Sequence, residues 1–407
     1  MSHSDLQRRY DELRGLGLSL DMTRGKPCSA QLDLSAELLT TVTGDVRATD
    51  GTDCRNYGGV DGLPEAKAFF AGMVGVAPNE VVVGGNSSLS LMYDTVVRCL
   101  LHTPPGGDKP WRQLPKIRWA CPVPGYDRHF GVCENLGIEM TTVPMTDDGP
   151  DMDALEPLVA ADASVRGLWV VPRFSNPTGA VVSPDVVRRL ARMRTAAPDF
   201  RIVWDDAYAV HVLGAEPVEI PSILAACKEA GNPDRVFLFG STSKITFAGA
   251  GVAFMAGSEA NMAWTRKHLS IQTIGPDKLN QLRHVRFLGD LAGIRAHMQR
   301  HAAILRPKFE RVLSVLEEEL GGSGLATWTR PRGGYFMTLW VPAGTAARVV
   351  KLAKDAGVAL TPAGATYPYG KDPDDRVLRL APSFPTVEEI EQAMRVVAAC
   401  VRLAAAG

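Results

Sequence analysis

The chain has 407 residues, of which 45% are hydrophobic, and its 44 Lys and Arg side chains nearly balance its 45 Asp and Glu side chains, giving a formal net charge of −1. This length favours two domains, or one large domain with a smaller satellite, and the apolar content supplies a sizeable core. Because the chain carries no excess of basic charge, we expect neither nucleic acid nor an anionic membrane as a partner.

The cysteines and the N-terminal segment indicate a cytoplasmic protein. The seven cysteines include no Cys-x-x-Cys pair and lie at positions 28, 54, 99, 121, 133, 227 and 400. An odd, scattered set is typical of reduced thiols and not of a disulfide framework or a metal cluster. The N-terminal segment has no apolar core like that of a signal peptide, and we expect no membrane-spanning helix because no apolar run approaches the length of about 18 residues that one needs.

The chain begins with a pattern that predicts a short helix. Ser4 followed by Gln7 matches a capping box, and Leu6, Tyr10 and Leu13 follow at helical spacing.

In the middle of the chain, short β-rich runs alternate with helical patterns. Several runs are almost continuously apolar, which is typical of strands covered on both faces. The helical patterns include Leu89–Leu101 and Pro184–Thr195, the second with Ser183 as its N-cap. The alternation predicts an α/β fold with a mostly parallel seven-stranded sheet sandwiched by helices. The predicted strands are Glu80–Gly84, Ile117–Cys121, Ile138–Pro144, Gly167–Phe174, Arg201–Asp206, Arg235–Gly240 and Gly251–Ala256.

From about residue 282 the pattern changes. A helical stretch runs toward Leu320, and we expect Pro307 to kink or break it. A β-like segment follows at Tyr335–Val341, and then a helix near Thr345–Ala356.

A second capping box, formed by Thr386 and Glu389, opens a final helix. We predict that residues 51–285 form a large α/β domain. Residues 1–50 and 286–407 are predicted to form a smaller α+β domain together.

Ligands of open α/β sheets bind beyond the carboxyl ends of the strands, so the residues that follow each predicted strand are candidates for a site. The segment Gly85–Ser88 precedes a helix, and its backbone N–H groups and hydroxyls form either an anion site or an ordinary N-cap. Tyr126, in PVPGYDRHF, either stacks on a flat ring or packs in the rim of the sheet.

Three further strand ends present polar groups. Asn176 lies in the turn SNPTG, Asp205 and Tyr208 follow in WDDAYAVH, and Lys244 closes STSK. Asp205, with Asp206 and His211, matches no metal-ligand spacing, so we predict no metal site. The five strand ends together offer an anion cradle, an aromatic face, an amide, a carboxylate with a phenol, and an amine. This set suits a flat, phosphorylated, nitrogen-containing aldehyde cofactor.

These motifs, in this order, resemble those of the class I/II aminotransferases of fold type I, which use pyridoxal 5'-phosphate. The resemblance rests on SNPTG, Asp205 with Tyr208, STSK with Lys244, and RLAPSF with Arg379. DMTRGKP, GGNSSLSLMYD, TIGPDKLNQLRH and SKITFAGAGVAF are more narrowly similar to a bacterial subgroup of aspartate aminotransferases. The resemblance covers nearly the whole chain.

The resemblance implies a role for each catalytic candidate. Lys244 would form a Schiff base with the cofactor and move the α-proton of the substrate, for which its amine must be neutral. Asp205 would pair with the protonated pyridine nitrogen. Asn176 and Tyr208 would hydrogen-bond the phenolic oxygen of the ring.

The resemblance also implies how the cofactor is held. Tyr126 would stack on the ring, and His129 would support Asp205 from behind. The phosphate would be held by serine hydroxyls and by a tyrosine of the partner subunit, which makes the active unit at least a homodimer with a shared site. These phosphate ligands are Ser87, Ser88, Ser241, Ser243 and Tyr57.

For the substrate, the resemblance implies that Arg379 binds the α-carboxylate as a bidentate fork. Gly25 would bring its backbone close to the same carboxylate, and Asn176 would contribute to substrate binding.

A dicarboxylic substrate needs a second cation at its distal end. Lys278, in TIGPDK, is the first candidate because relatives place a side-chain-reading arginine from the neighbouring subunit at about this position, and Arg24 is the second. Lys26 and Arg332 are further candidates, and each of the four is alternatively a solvated surface charge.

One position departs from the pattern of the family. Many relatives carry an arginine eight residues after the lysine, where it neutralises the phosphate, whereas this chain has Val252. The sequence does not assign another cation to this task.

The sequence thus predicts an aminotransferase that moves the amino group of an acidic L-amino acid, aspartate in first place, to 2-oxoglutarate by a ping-pong route. One alternative is other pyridoxal-phosphate chemistry on the same fold, namely a β-lyase, a decarboxylase or an aminotransferase for another amino acid. The other is a non-catalytic, effector-sensing domain.

Overall fold

The computed structural model describes residues 2–407. Its strands are β1 (Leu20–Asp21), β2 (Val81–Val83), β3 (Arg118–Val123), β4 (Glu139–Thr146), β5 (Gly149–Pro150), β6 (Val165–Val170), β7 (Arg201–Asp205), β8 (Val236–Ser241), β9 (Ala253–Gly257), β10 (Thr327–Trp328), β11 (Met337–Trp340), β12 (Val358–Ala359) and β13 (Val377–Leu380). Its α-helices are α1 (His3–Arg14), α2 (Ser29–Asp33), α3 (Pro64–Val74), α4 (Ser88–Leu101), α5 (Asp127–Asn135), α6 (Met152–Ala161), α7 (Pro184–Arg192), α8 (Ile223–Glu229), α9 (Glu259–Gln272), α10 (Lys278–Leu288), α11 (Leu291–Leu320), α12 (Ala346–Asp355) and α13 (Val387–Ala405).

The main sheet has the strand order β2-β9-β8-β7-β6-β3-β4-β5. Strands β8, β7, β6, β3 and β4 pair parallel along this order, and β9 runs antiparallel to both of its neighbours. Each of the seven predicted strands has its counterpart here, so the prediction of a mostly parallel α/β sheet is confirmed. The two-residue edge strand β5 was not predicted, because a Gly-Pro pair carries no strand signal of its own.

The two faces of the sheet are covered by different helices. Along β7, Ile202 and Trp204 belong to one apolar cluster and Val203 belongs to another, because side chains alternate between the faces of a strand. The first cluster contains residues of α3, α6, α7, α8 and α10, whereas the second contains residues of α4, α5 and α9. Alternation therefore directs Asp205, at the end of β7, toward the face covered by α4 and α5.

A third apolar cluster joins the two ends of the chain. It combines residues of α1, α12 and α13 with the antiparallel sheet β10-β11-β13. Strand β1 pairs parallel with β12, with Leu20 opposite Val358. Helix α11 belongs to both units, since Ile294 and Met298 pack in the first cluster and the later turns pack in the third. These contacts support the division into residues 51–285 and residues 1–50 with 286–407, which we retain as a proposal.

Two details of the helix predictions were wrong. Helix α1 is capped by Ser2, whose hydroxyl accepts from the N–H of Asp5 at 3.3 Å, so the capping box lies two residues before the predicted Ser4 and Gln7. Helix α11 runs through Pro307 without a break. A proline inside a helix costs about 3 kcal/mol, and burial of both halves of α11 in separate apolar clusters offsets that cost.

We predict that Thr386→Ala lowers the free energy of unfolding by about 1 kcal/mol, because an N-cap hydroxyl contributes roughly this amount. The Thr386 hydroxyl accepts from the N–H of Glu389 at 3.2 Å, and the Glu389 carboxylate accepts from the N–H of Thr386 at 2.8 Å. The measurement is denaturant unfolding followed by circular dichroism. Thr103→Ala is the matched control, since Thr103 is exposed and its hydroxyl makes no hydrogen bond to residues 2–407; equal losses in the two variants would contradict the capping role.

Candidate active site

The carboxyl ends of neighbouring strands bring the candidate residues to one edge of the sheet. Strand β7 lies between β6 and β8 and pairs parallel with both. Asn176 follows β6, Asp205 ends β7 and Lys244 follows β8. Tyr126 follows β3, which pairs with β6. The topology thus gathers side chains that are up to 118 positions apart in the chain.

Asp205 has one oxygen paired and one oxygen free. The residue is only 3% exposed, and its Oδ2 accepts a hydrogen bond from Nε2 of His129 at 3.0 Å. The His129 ring stacks on Trp169, with ring centroids 4.4 Å apart, which fixes the direction of that hydrogen bond. The Oδ1 atom is buried and has no hydrogen-bond partner among residues 2–407. A buried acceptor without a donor is costly, so this oxygen fits a donor on a bound group such as a protonated ring nitrogen.

Lys244 places its amine beside the aromatic ring of Tyr208. The Nζ atom lies 4.9 Å from the ring centroid. Burial lowers the pKa of Lys244 below the usual lysine value, and the negative charge of Asp205 opposes part of this shift. A lowered pKa favours the neutral amine, which is the nucleophilic form.

Tyr208 is a protonated donor in this site. Burial raises the pKa of its phenol well above the usual tyrosine value, and the neighbouring Tyr126 and Asp205 add to the shift. Burial likewise raises the pKa of Tyr126. Both phenols therefore keep their protons at neutral pH.

The predicted phosphate ligands lie against the start of helix α4. Ser87 is its N-cap and Ser88 is its first residue. The Ser243 hydroxyl donates to the carbonyl of Asn86 at 3.2 Å, and the Ser241 hydroxyl donates to Ser243 at 3.1 Å. Free N–H groups at the start of a helix, together with several hydroxyls, form a suitable cradle for a phosphate group.

Val252 faces away from this cradle. The residue is 1% exposed and belongs to the apolar cluster on the other face of the sheet. Its backbone is paired with Thr242, whose N–H donates to the Val252 carbonyl at 2.8 Å and whose hydroxyl accepts from the Val252 N–H at 2.9 Å. The departure from the family pattern therefore places an apolar core residue at this position.

Arg379 reaches the other candidate residues from the C-terminal part of the chain. It lies in β13, and its Nη1 donates to Oδ1 of Asp127 at 2.7 Å and to Oδ1 of Asn176 at 3.4 Å. The guanidinium carbon lies 5.0 Å from the ring centroid of Phe336. A side chain at Gly25 would collide with the same ring, so the backbone passes there only because Gly25 has no Cβ. The structure thus brings Arg379, Asn176 and Gly25 together as predicted.

Lys278 is held against the loop that carries the exposed Tyr57. Tyr57 is 81% exposed, and the Nζ of buried Lys278 donates to the carbonyl of the next residue, Gly58, at 2.7 Å. Neither side chain hydrogen-bonds to any of the other site candidates within the described part of the chain. Arg24 and Arg332, the other candidates for the distal carboxylate, are exposed.

Other sequence candidates are engaged elsewhere. The Nζ of Lys26 lies 4.0 Å from the centroid of the Phe384 ring. Asp206 pairs with Arg173, and Nε2 of His211 donates to the carbonyl of Lys244 at 3.2 Å. Across residues 2–407 there is no group of three His, Cys, Asp or Glu side chains arranged to hold a metal ion. In the same range, every helix is too short or too polar to cross a bilayer.

Comparison with known proteins agrees with this geometry. A model of the aspartate amino-transferase family matches residues 1–407. The chain is 52% identical over 405 residues to an aspartate aminotransferase of Corynebacterium glutamicum, covering 99% of this chain and 94% of that protein. The crystal structure of an aspartate transaminase from Corynebacterium glutamicum superposes with a TM-score of 0.98 at 52% identity, covering 99% of this chain and 95% of that one.

A more distant structure extends the comparison. The α-aminoadipate aminotransferase of Thermus thermophilus, complexed with N-(5'-phosphopyridoxyl)-L-leucine, has a TM-score of 0.77 at 25% identity, and the match covers 95% of this chain and 93% of that one. The fold is therefore that of the fold-type I aminotransferases, a class that uses pyridoxal phosphate. Within this class the chain belongs to the aspartate aminotransferase family and is an aminotransferase. This assignment argues against the alternative of a non-catalytic sensing domain.

The sequence analysis missed several residues that contact the candidates. Asp127, the partner of Arg379, and Phe336, which packs on the same guanidinium, were not singled out. The signal for Asp127 was its position directly after Tyr126. Tyr335 donates to the carbonyl of Lys244 and gave no motif signal; His211 was considered only as a metal ligand, and its contact with the same carbonyl was not predicted.

Four buried histidines surround the turn that carries Lys244. Burial lowers the pKa of His211 to about 3 and the pKa values of His284 and His301 to about 4, and it also lowers the pKa of His297. Beside this turn, Nε2 of His284 lies 2.9 Å from the hydroxyl of Thr246. These histidines are neutral in the folded protein at neutral pH.

We predict that the free energy of unfolding falls as the pH is lowered from 6.5 to 4. Between these values the unfolded chain, with a histidine pKa near 6.5, binds protons that folded His284 does not bind until its own pKa of about 4 is reached. The stability that the neutral ring provides is therefore complete above pH 6.5 and is lost toward pH 4.

In His284→Gln, the free energy of unfolding should fall by about 1–3 kcal/mol less between pH 6.5 and pH 4 than it does in the wild type, at 1.36 kcal/mol per pKa unit. Denaturant unfolding at several pH values measures the slope. His3→Asn, at an exposed position, is the control and should keep the wild-type slope. An unchanged slope in His284→Gln would show that this ring is not the group that titrates.

Proposed function

We propose that this aminotransferase binds pyridoxal 5'-phosphate at the site around Lys244 and Asp205. We further propose that it transfers the amino group of an acidic L-amino acid, aspartate in first place, to 2-oxoglutarate by a ping-pong mechanism. The observation that carries the cofactor is the buried, unpartnered Oδ1 of Asp205, on the side of the carboxylate that His129 leaves free. The Thermus relative bound to a phosphopyridoxyl amino acid supports it, and the 52%-identical aspartate aminotransferase supports the substrate.

The catalytic residues act on the proton and charge balance of the site. When bound, pyridoxal phosphate supplies an aldehyde carbon and an electron-accepting ring. Lys244 would hold the cofactor through that carbon, with the aldehyde oxygen leaving as water, and its amine would carry the α-proton of the substrate. Asp205, positioned by His129, would keep the proton on the ring nitrogen. Tyr208 and Asn176 would hydrogen-bond the ring oxygen.

Other residues hold the cofactor in place. Tyr126 covers one face of the ring. The phosphate binds to the start of α4 and to the neighbouring hydroxyls of Ser87, Ser88, Ser241 and Ser243. Tyr57 completes the phosphate site of a partner subunit, which makes the active unit a homodimer; its 81% exposure in the single chain supports this role.

Substrate recognition uses both ends of the dicarboxylate. Arg379 binds the α-carboxylate, with Asn176 and the backbone at Gly25 beside it. For the distal carboxylate we rank Lys278 before Arg24. The contact of Lys278 with the loop of Tyr57 supports this ranking, because both residues would then enter the site of the partner subunit together. We also propose a cytoplasmic location, supported by the seven free cysteines.

The test of the reaction is spectroscopic. The purified holoenzyme should show a visible absorption band that disappears when aspartate is added alone and returns when 2-oxoglutarate follows. This behaviour is specific to a ping-pong amino transfer. Release of ammonia would favour a β-lyase, release of carbon dioxide would favour a decarboxylase, and a response to a non-acidic amino acid alone would favour another substrate.

We predict that Lys244→Ala folds but does not carry out either half-reaction, because no other amine replaces its covalent link and proton transfer. Circular dichroism checks the fold, and the loss of the visible band with aspartate checks the half-reaction. Lys267→Ala removes an exposed lysine and should behave like the wild type. Normal turnover in Lys244→Ala would overturn the assignment of the site.

We predict that Lys278→Ala lowers kcat/KM for aspartate by about 10- to 150-fold, the effect of losing one hydrogen bond to a charged group. The value for alanine, which has no distal carboxylate, should change little. Steady-state kinetics with both amino acids measures the ratio, and Arg24→Ala is the parallel variant. Equal losses for the two substrates would mean that Lys278 holds the loop of Tyr57 and does not read the substrate.

A further inference from the structure

The backbone of the turn that carries Lys244 is held by buried side chains from distant segments. The carbonyl of Lys244 accepts from the hydroxyl of Tyr335 at 3.3 Å and from Nε2 of His211 at 3.2 Å. The next carbonyl, of Ile245, accepts from Nε2 of His297 at 2.8 Å. Three side chains from three parts of the chain thus fix two consecutive peptide groups at the point from which the amine projects.

The direction of the Tyr335 hydroxyl is set by Gln31. The side-chain oxygen of Gln31 accepts from the N–H of Cys28 at 3.2 Å, which turns its amide nitrogen toward the Tyr335 oxygen at 2.8 Å. Because Gln31 donates to that oxygen, the hydroxyl proton of Tyr335 is left to point at Lys244. Both Gln31 and Tyr335 are 0% exposed, so water does not compete for these hydrogen bonds.

The same segment also contacts the proposed carboxylate site. Phe336, directly after Tyr335, packs on the guanidinium of Arg379 and on Gly25. Gln31 lies six residues after Gly25 in the chain. Two adjacent side chains therefore contact the two candidate residues, with Tyr335 on the backbone carbonyl of Lys244 and Phe336 on the guanidinium of Arg379.

We propose that Tyr335, aligned by Gln31, is a positioning residue for Lys244 in the amino-transfer reaction. It fixes the backbone of the lysine relative to Arg379, and therefore the amine relative to the α-carbon of a bound substrate. Small displacements of a reacting group have large effects on rate. The inference rests on the proposed function and concerns how that function is kept efficient.

The test compares Tyr335→Phe with Tyr10→Phe. Tyr10 is also buried and its hydroxyl also donates to a backbone carbonyl, that of Leu352 at 3.0 Å, which lies in helix α12. Tyr335→Phe loses two hydrogen bonds, one to the Lys244 carbonyl and one from Gln31, whereas Tyr10→Phe loses one, so both variants should lose stability and Tyr335→Phe should lose more. Only Tyr335→Phe should lower kcat for aspartate by about tenfold, equivalent to about 1.4 kcal/mol, with KM nearly unchanged.

Two readouts do not depend on turnover. In Tyr335→Phe, the pKa obtained by titrating the visible band of the holoenzyme should differ from the wild-type value, and the apoenzyme should form its covalent link with added pyridoxal phosphate more slowly. Tyr10→Phe should match the wild type in both. If Tyr335→Phe and Tyr10→Phe coincide in kcat, in the pKa of the band and in the rate of linkage, the positioning role is wrong.

A double-mutant cycle tests the part played by Gln31. Gln31→Met keeps the length of the side chain but removes both its donor to Tyr335 and its acceptor for the N–H of Cys28, and it should reproduce the loss in kcat of Tyr335→Phe. Because both residues act through one hydrogen-bond chain, the double variant should be no slower than either single variant. Fully additive losses would contradict the alignment of Tyr335 by Gln31. If Tyr335→Phe does not fold, Gln31→Met alone tests the positioning role, and a wild-type kcat in that variant would contradict it.

The wild-type protein separates this inference from the proposed function. If the wild type takes up no pyridoxal phosphate or shows no response to aspartate, the proposed function fails and the inference fails with it. If the wild type responds and the Tyr335 and Gln31 variants equal Tyr10→Phe, only the inference fails.

Discussion

The site depends on one buried carboxylate that is only half satisfied. An ionised carboxylate removed from water is unfavourable unless each oxygen finds a donor. In Asp205, His129 serves one oxygen and residues 2–407 supply no donor for the other. The fold therefore holds a fixed negative group with one open position, and a bound cation or ring N–H satisfies it. The His129 ring that pairs with Asp205 is itself stacked on Trp169.

The same local field affects the groups around Asp205. Burial lowers the pKa of Lys244 while the charge of Asp205 limits the shift, and burial raises the pKa of Tyr208 with Asp205 adding to the effect. Burial thus favours the neutral form of the amine, beside a phenol that retains its proton. In the proposed function, this one environment would give a nucleophile, a hydrogen-bond donor and an acceptor for a positive ring.

In the proposed division of the fold, the two units contribute different parts of the candidate site. The parallel sheet supplies Lys244 and Asp205 from the ends of adjacent strands. The smaller unit supplies Arg379 from β13, and the segment with Phe336 packs on it. A site assembled in this way depends on the relative placement of the two units. Contacts that cross between them, such as that of Tyr335 with Lys244, therefore bear on the geometry of the reaction.

The sequence by itself determined the fold class and most of the candidate site. Continuous apolar runs are typical of covered parallel strands, and the functional residues follow those runs directly, so their position at one edge could be predicted without coordinates. Local details were less secure. The capping box predicted at Ser4 and Gln7 lies two residues earlier in the structure, at Ser2 and Asp5. The apolar packing of α11 outweighed the local effect of Pro307.

Only the tertiary structure decided which groups meet. The pairing of Arg379 with Asp127, the burial of Val252 on the opposite face of the sheet and the contact of Lys278 with Gly58 each join segments that carry no shared pattern. Sequence patterns report the periodicity of one segment, whereas these contacts depend on the distances between segments after the sheet and the terminal unit have packed. The sequence therefore identified the candidate residues, and the packing of distant segments determined which residues they contact.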